Sequence, residues 1–151
     1  MSLNDWLEKS WLVTHSSSKQ EIEALLSIVD RDIKQSHTPG LEPDWQLNIA
    51  YNAALQLATV ALAASGYRAA REAHHYRSIQ SLAFTISADK KLVRQLDDFR
   101  KKRHISDYEQ TGMVTQKEAS EMVALAQELR DMVTEWLEKN HPELIGKRNY
   151  C

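Results

Sequence analysis

Residues 49–64 read Ile49-Ala50-Tyr51-Asn52-Ala53-Ala54-Leu55-Gln56-Leu57-Ala58-Thr59-Val60-Ala61-Leu62-Ala63-Ala64. Laid on a helix, Ile49, Ala50, Ala53, Ala54, Leu57, Ala58, Ala61, Leu62 and Ala64 cover most of the circumference rather than one stripe of it. A helix that is apolar nearly all round sits at the centre of its domain, with neighbours on several sides. Its many alanines let those neighbours approach closely. The spacing starts this helix at Pro43 or Asp44 and ends it at Ser65, with Gly66 just beyond the cap. The segment is too short, and too interrupted by Asn52 and Gln56, to read as a membrane span.

Working outward, the flanking segments also repeat with helical period. Trp6, Leu7, Trp11 and Leu12 predict a short amphipathic helix from Leu3 to about Val13. Ser16-Ser17-Ser18 breaks it, and Ser18 with Glu21 fits a capping box. Behind that box, Ile22, Leu25, Leu26, Val29 and Ile33 form one stripe, which His37-Thr38-Pro39-Gly40 ends. A fourth helix is expected from about Arg68 to Ile86. A fifth starts near Ser87 or Asp89, contains Leu92, Leu96 and Phe99, and fades between Tyr108 and Gly112. Thr115 and Glu118 form a second capping box, opening a helix with Met122, Leu125, Ala126, Leu129, Met132, Val133, Trp136 and Leu137 on one face. It ends at Asn140-His141-Pro142, and residues 143–151 read as a loose tail. Trp6, Trp11 and Trp136 fall on apolar stripes, while Trp45 falls near a helix start, towards the surface. No strand-like alternation competes. The expected fold is all-α: a single domain over residues 1–151, an antiparallel up-and-down bundle of four core helices with short additional helices.

Composition agrees with one globular domain. The chain has 151 residues, 42% hydrophobic and 26% charged, which excludes a disordered chain. Only 4 Gly and 3 Pro argue against a turn-rich sandwich or barrel. The net charge of −2 gives no global basic field for nucleic acid. The single cysteine, Cys151, excludes an internal disulfide framework and any multi-cysteine metal site. Asp5 and Glu8 interrupt the only early apolar stretch, so no signal peptide is expected and a cytoplasmic location is the default. No Gly-rich phosphate loop, nucleophile elbow or aspartate-rich cluster is present.

Two clusters have candidate chemistry. The first runs from Phe99 through Arg100, Lys101, Lys102, Arg103, His104, Ile105, Ser106 and Asp107 to Tyr108. Between Asp89 and Arg103, seven basic residues face three acids inside an acidic protein. Arg100 and His104 are i, i+4 neighbours able to face one phosphate or one partner, and a His beside an Arg is able to move protons near neutral pH. The plainer reading is a solvated face, because Asp97/Lys101, Asp98/Lys102 and Arg103/Asp107 are all i, i+4 pairs of acid and base. The second cluster is His74-His75. Adjacent helical residues point about 100° apart, so one is expected to pack inward and the other to face solvent. Glu72-x-x-His75 and Glu138-x-x-His141 have the spacing of a di-iron bundle, but the central helix has no inward Glu to complete such a site. No metal or other cofactor is expected.

Three stretches in this order carry a resemblance: 50–58 continuing to 64–68, then 72–79, then 100–108 followed by the helix from Thr115. Over about residues 43–139 the chain resembles the HEPN superfamily, nearest to its small stand-alone bacterial members. The resemblance implies a bundle of four core helices, usually in a symmetric homodimer. It also implies RNA or nucleotide as ligand, with a minimal nucleotidyltransferase as toxin–antitoxin partner. Many members are metal-independent endoribonucleases whose site is an Arg, a polar residue and a later His. Arg103 matches the Arg, His104 stands in the place of the polar residue, and Tyr108 stands where the His is expected. A shifted match pairs Arg100 with His104. The implied catalytic set is thus Arg100, Arg103, His104 and Tyr108, with Lys101, Lys102, Asp107, His74 and His75 as binding residues. Tyr108 is a poor base near pH 7, its ordinary pKa being about 10. The resemblance therefore implies a module with a degenerate ribonuclease motif that binds RNA, a nucleotide or a protein, with active RNA cleavage as the alternative.

Overall fold

The computed structural model describes residues 1–108 and 114–146, without the side chains of 104–108. Six α-helices and one two-stranded ribbon make up these residues: α1 Leu3–Glu8, β1 Leu12–Thr14, α2 Lys19–Ser36, α3 Pro43–Ala64, β2 Tyr67–Ala69, α4 His74–Thr85, α5 Lys90–Tyr108 and α6 Gln116–Asn140. A 3-10 turn, Pro142–Leu144, follows α6. The protein is mainly α-helical, a bundle built around α3.

The central place of α3 follows from its composition. Leu47, Ala50, Ala53, Leu57, Ala58, Val60 and Ala61 are all fully buried, and α3 packs against α2, α4, α5 and α6. It is the only described helix long and apolar enough to cross a membrane, and it spends that surface on the core. Pro43 opens it at the first position, and Gly66, at φ +96°, turns the chain out of it. Gln46 donates to the Ser36 carbonyl at 2.9 Å and Asn52 to Asp32 at 2.8 Å, so α2 and α3 run antiparallel. The Arg130–Asp30 and Gln127–His37 pairs run α6 antiparallel to α2. Beyond Gly66 the chain returns along α3 before starting α4. As a result His75, at the start of α4, lies beside Tyr51, while Phe84 near its end meets Trp6.

That return segment holds the main departure from the expected helices. The fourth helix starts at His74 rather than Arg68, and the first stops at Glu8 rather than Val13. Ser10 takes a left-handed turn at φ 63°, and Leu12–Thr14 pairs antiparallel with Tyr67–Ala69, Val13 opposite Arg68. Partners 55 residues apart lie beyond the reach of local periodicity. The ribbon covers a second apolar cluster of Trp6, Leu12, Leu62 and Ala69. Trp11 is therefore not on a helix stripe. It is half-buried between the Lys9 ammonium (4.6 Å) and the Arg77 guanidinium (4.4 Å), and packs edge-on to Trp6. Trp45 is exposed, at 61%. The Thr115/Glu118 capping box is complete. At α2 only the Ser18 half forms, because the Glu21 carboxylate is bound to His15 at 2.7 Å. The expected loose tail does not start at residue 143, because Leu144 and Ile145 pack against the core; the rest of that expectation, 147–151, lies outside the described residues.

Candidate functional site

The C-terminal half of α5 crosses the N-terminal halves of α3 and α4, and the polar side chains of the three helices meet there. Arg103 reaches α3: its Nε donates to Asn48 Oδ1 at 3.1 Å, and its guanidinium lies 5.1 Å from the centre of the Tyr51 ring. Arg100 donates to Asp97 Oδ1 at 2.7 Å and lies 5.4 Å from the Tyr76 ring centre. The His75 ring is 6.1 Å from Tyr51 and 5.8 Å from His74. Asn48 and Tyr51 are i, i+3 on α3, and Arg100 and Arg103 are i, i+3 on α5, so each pair shares a face.

The start of α4 adds positive potential. Its N-cap residue, Ala73, is left-handed at φ 52°, ψ 34° and supplies no side-chain cap. The first turn, with His74, His75 and Tyr76, thus presents backbone N–H groups and the positive end of the helix dipole at the same place.

Two groups respond to these surroundings. Burial pushes the Tyr51 hydroxyl up to about 12, with Arg103 and Arg100 pulling it down and Asp97 adding to the rise. Tyr51 is therefore a neutral phenol near pH 7. Its Oη is buried with no hydrogen-bond partner, and the residue is 1% exposed. His75 is lowered from its ordinary value, first by burial and then by Arg103, His74 and Arg100. Its neutral imidazole is favoured.

The sequence-predicted residues divide three ways. Arg100, Arg103, His74 and His75 come together, although they belong to two clusters 25 residues and more apart in sequence. His74 and His75 are both half-buried, rather than one inward and one in solvent. Lys101 and Lys102 do not join them. Lys101 is exposed and pairs with Asp97 at 3.4 Å, as its spacing predicts. Lys102 turns to the other side of α5 and meets Glu118 of α6 at 3.3 Å, not Asp98, because the start of α6 lies closer to its long side chain. The side chains of His104, Asp107 and Tyr108 lie outside the described residues, and with them the Arg100/His104 and Arg103/Asp107 pairings. Sequence reasoning missed Tyr51, Asn48, Tyr76 and Asp97 as site residues. The signal was present for the first two, as polar groups one turn apart on one face of a mostly apolar helix. Glu72 is exposed ahead of α4, and His141 is taken up by Trp136 and Glu143. Among the described residues no group of three His, Cys, Asp or Glu side chains is placed to hold a metal ion.

A separate groove of about 630 Å³ runs between α4 and α5, with Lys90, Arg94, Lys101, Asp97 and Asp98 on its α5 side and Gln80 and Ala83 on its α4 side; Asp97, the partner of Arg100, is its link to the cluster. Two guanidiniums and an imidazole pair near a helix N-terminus are groups suited to a phosphate. Comparison with protein-family models, curated proteins and solved structures finds no match to this chain.

Proposed function

We propose that this chain is a HEPN-like helical module that binds RNA or a nucleotide through its phosphate at the Tyr51, His75, Arg100 and Arg103 cluster, without cleaving it. The observation that supports this reading is the placement of Arg100 over Tyr76 in the uncapped first turn of α4 and of Arg103 over Tyr51, beside His75. Hydrogen bonds to a charged partner contribute about 1.5–3 kcal/mol each, enough for one arginine to change affinity tenfold or more. The groove between α4 and α5 gives the rest of the ligand a path past Lys90, Arg94 and Lys101, with Asp97 and Asp98 also on its wall.

The test is fluorescence anisotropy with a labelled single-stranded RNA decamer and with labelled AMP, at two salt concentrations. Wild-type protein binds at least one of them, less tightly at high salt, and the RNA stays intact. R103Q, which keeps part of the stem over Tyr51, weakens binding by about tenfold or more. Equal binding by R103Q and wild type, or no binding by wild type, overturns the proposal.

One observation favours cleavage as a second reading. His75 lies beside Tyr51, between the arginines and the start of α4, with its pKa pushed down, and a neutral imidazole is the form a general base requires. Under this reading purified protein cuts the decamer and H75Q does not.

A further inference from the structure

We infer that the outer face of the β1–β2 ribbon is a docking surface for an acidic segment of a partner protein, whose carboxylates pair with Lys9, Arg68, Arg71 and Arg77. The surface is distinct from the Arg100–Arg103 cluster. At the start of α4, Tyr76 turns to Arg100 while Arg77 turns to Trp11.

Strand alternation builds this face. Leu12 and Ala69 point inward and are buried in the small apolar cluster. Val13 and its partner Arg68 therefore point outward. The Ala70 N–H donates to the Trp11 carbonyl at 2.9 Å, which extends the pairing by one residue and sets Trp11 and Ala70 on the same face. Lys9 and Arg77 lie over the Trp11 ring, and Arg71 is exposed just beyond Ala70. Among the described residues none of these four cations forms an ion pair. Glu8 and Glu72, the acids next to them in sequence, are exposed and pair with none of them. The face thus has uncompensated positive charge in a chain of net charge −2.

The same residues select the kind of partner. A guanidinium stacked on an aromatic ring keeps its in-plane N–H groups free, and that fork matches the two oxygens of a carboxylate. Arg77 is held this way on Trp11. With two cations over it and Trp6 packed edge-on, the Trp11 ring is not open as a stacking platform for a base, the device that holds single-stranded nucleic acid. Trp11 and Val13 are half-buried, which leaves little to insert into a bilayer. They do offer apolar contact between the cations. Side chains of a peptide use such contact, and a phosphodiester backbone does not.

The experiment titrates the protein with a labelled acidic peptide made of two copies of Glu-Gly-Glu-Leu-Glu, with its Gln-for-Glu counterpart, and with the single-stranded RNA decamer. Phosphatidylserine–phosphatidylcholine vesicles form a sedimentation arm. The expected result is binding of the Glu peptide, at least tenfold tighter than the Gln peptide and weaker at high salt, with a shift of the Trp11 indole N–H resonance on titration. The triple variant R68Q/R71Q/R77Q loses at least tenfold in affinity for the Glu peptide. R71Q alone, at an exposed side chain, loses several-fold without a change in thermal midpoint. R103Q binds the peptide as wild type does. Equal affinity for the two peptides, or unchanged peptide affinity in both ribbon variants, overturns the inference. RNA or vesicle binding that falls in the triple variant, with no binding of the Glu peptide, also overturns it and gives the surface to that other anion. So does the absence of binding by every probe.

Discussion

Tyr51 and His75 show how a single side chain takes its properties from its neighbours. Each is ordinary in sequence. One is pressed into the core with its hydroxyl unanswered, and the other loses proton affinity through burial first and then through Arg103, His74 and Arg100. The second fact has a consequence for acid stability. His75 holds its proton less well in the folded chain than in the unfolded one. Its contribution is therefore complete above about pH 6.5, the unfolded value. It is lost as pH falls from there towards the lowered folded value, because the unfolded chain binds more protons. Tyr51 from α3, His74 from α4, and Arg100 and Arg103 from α5 face it, and the cations among them oppose its protonation. We expect the urea midpoint of wild type to fall between pH 7 and pH 5 more than that of H75Q. Parallel pH curves for the two proteins refute this.

At the scale of elements, the alanines of α3 set how near the other helices come. Ala58 and Ala61 are fully buried. Ala58→Leu overpacks this contact and costs about 1–3 kcal/mol, read as a lower thermal midpoint; an unchanged midpoint counts against close packing there. The limits of α2, α3 and α6 and the start of α5 were legible because caps and apolar period agreed there. Ser18, Pro43 and Thr115 each stand where a helix begins. The C-terminal end of α1 and the start of α4 were not legible. Leu12 and Tyr67–Ala69 match helical spacing well enough, and only their pairing with each other selects the ribbon. The site was half legible for the same reason. Arg100, Arg103, His74 and His75 stand out as residue types, but which of them meet depends on α4 running beside α3 in the same direction. Lys102, next to Arg103 in sequence, faces α6 instead.

At the scale of the whole molecule, two apolar clusters divide the labour unequally. The large one joins α2 to α6 through α3, and the small one seals α1 and the ribbon onto Leu62. The ribbon strands are three residues each and pair only with each other. Native-state hydrogen exchange should therefore show the amides of α3 opening only with global unfolding, and those of α1, β1 and β2 opening earlier. Equal protection in both regions refutes a separate small cluster.

The placement of α3 also matters while the chain is being made. Its α6-facing side has no cover until residue 140 is synthesised, 76 residues after Ala64. At roughly 5–20 residues per second, that side waits about 4–15 s. During this interval the nascent protein presents its most apolar helix to the cell. A slower ribosome lengthens the exposure, and a chaperone that shields α3 shortens its effect. Yield in expression should respond to translation speed through α4 and α5 more than to the stability of the finished fold.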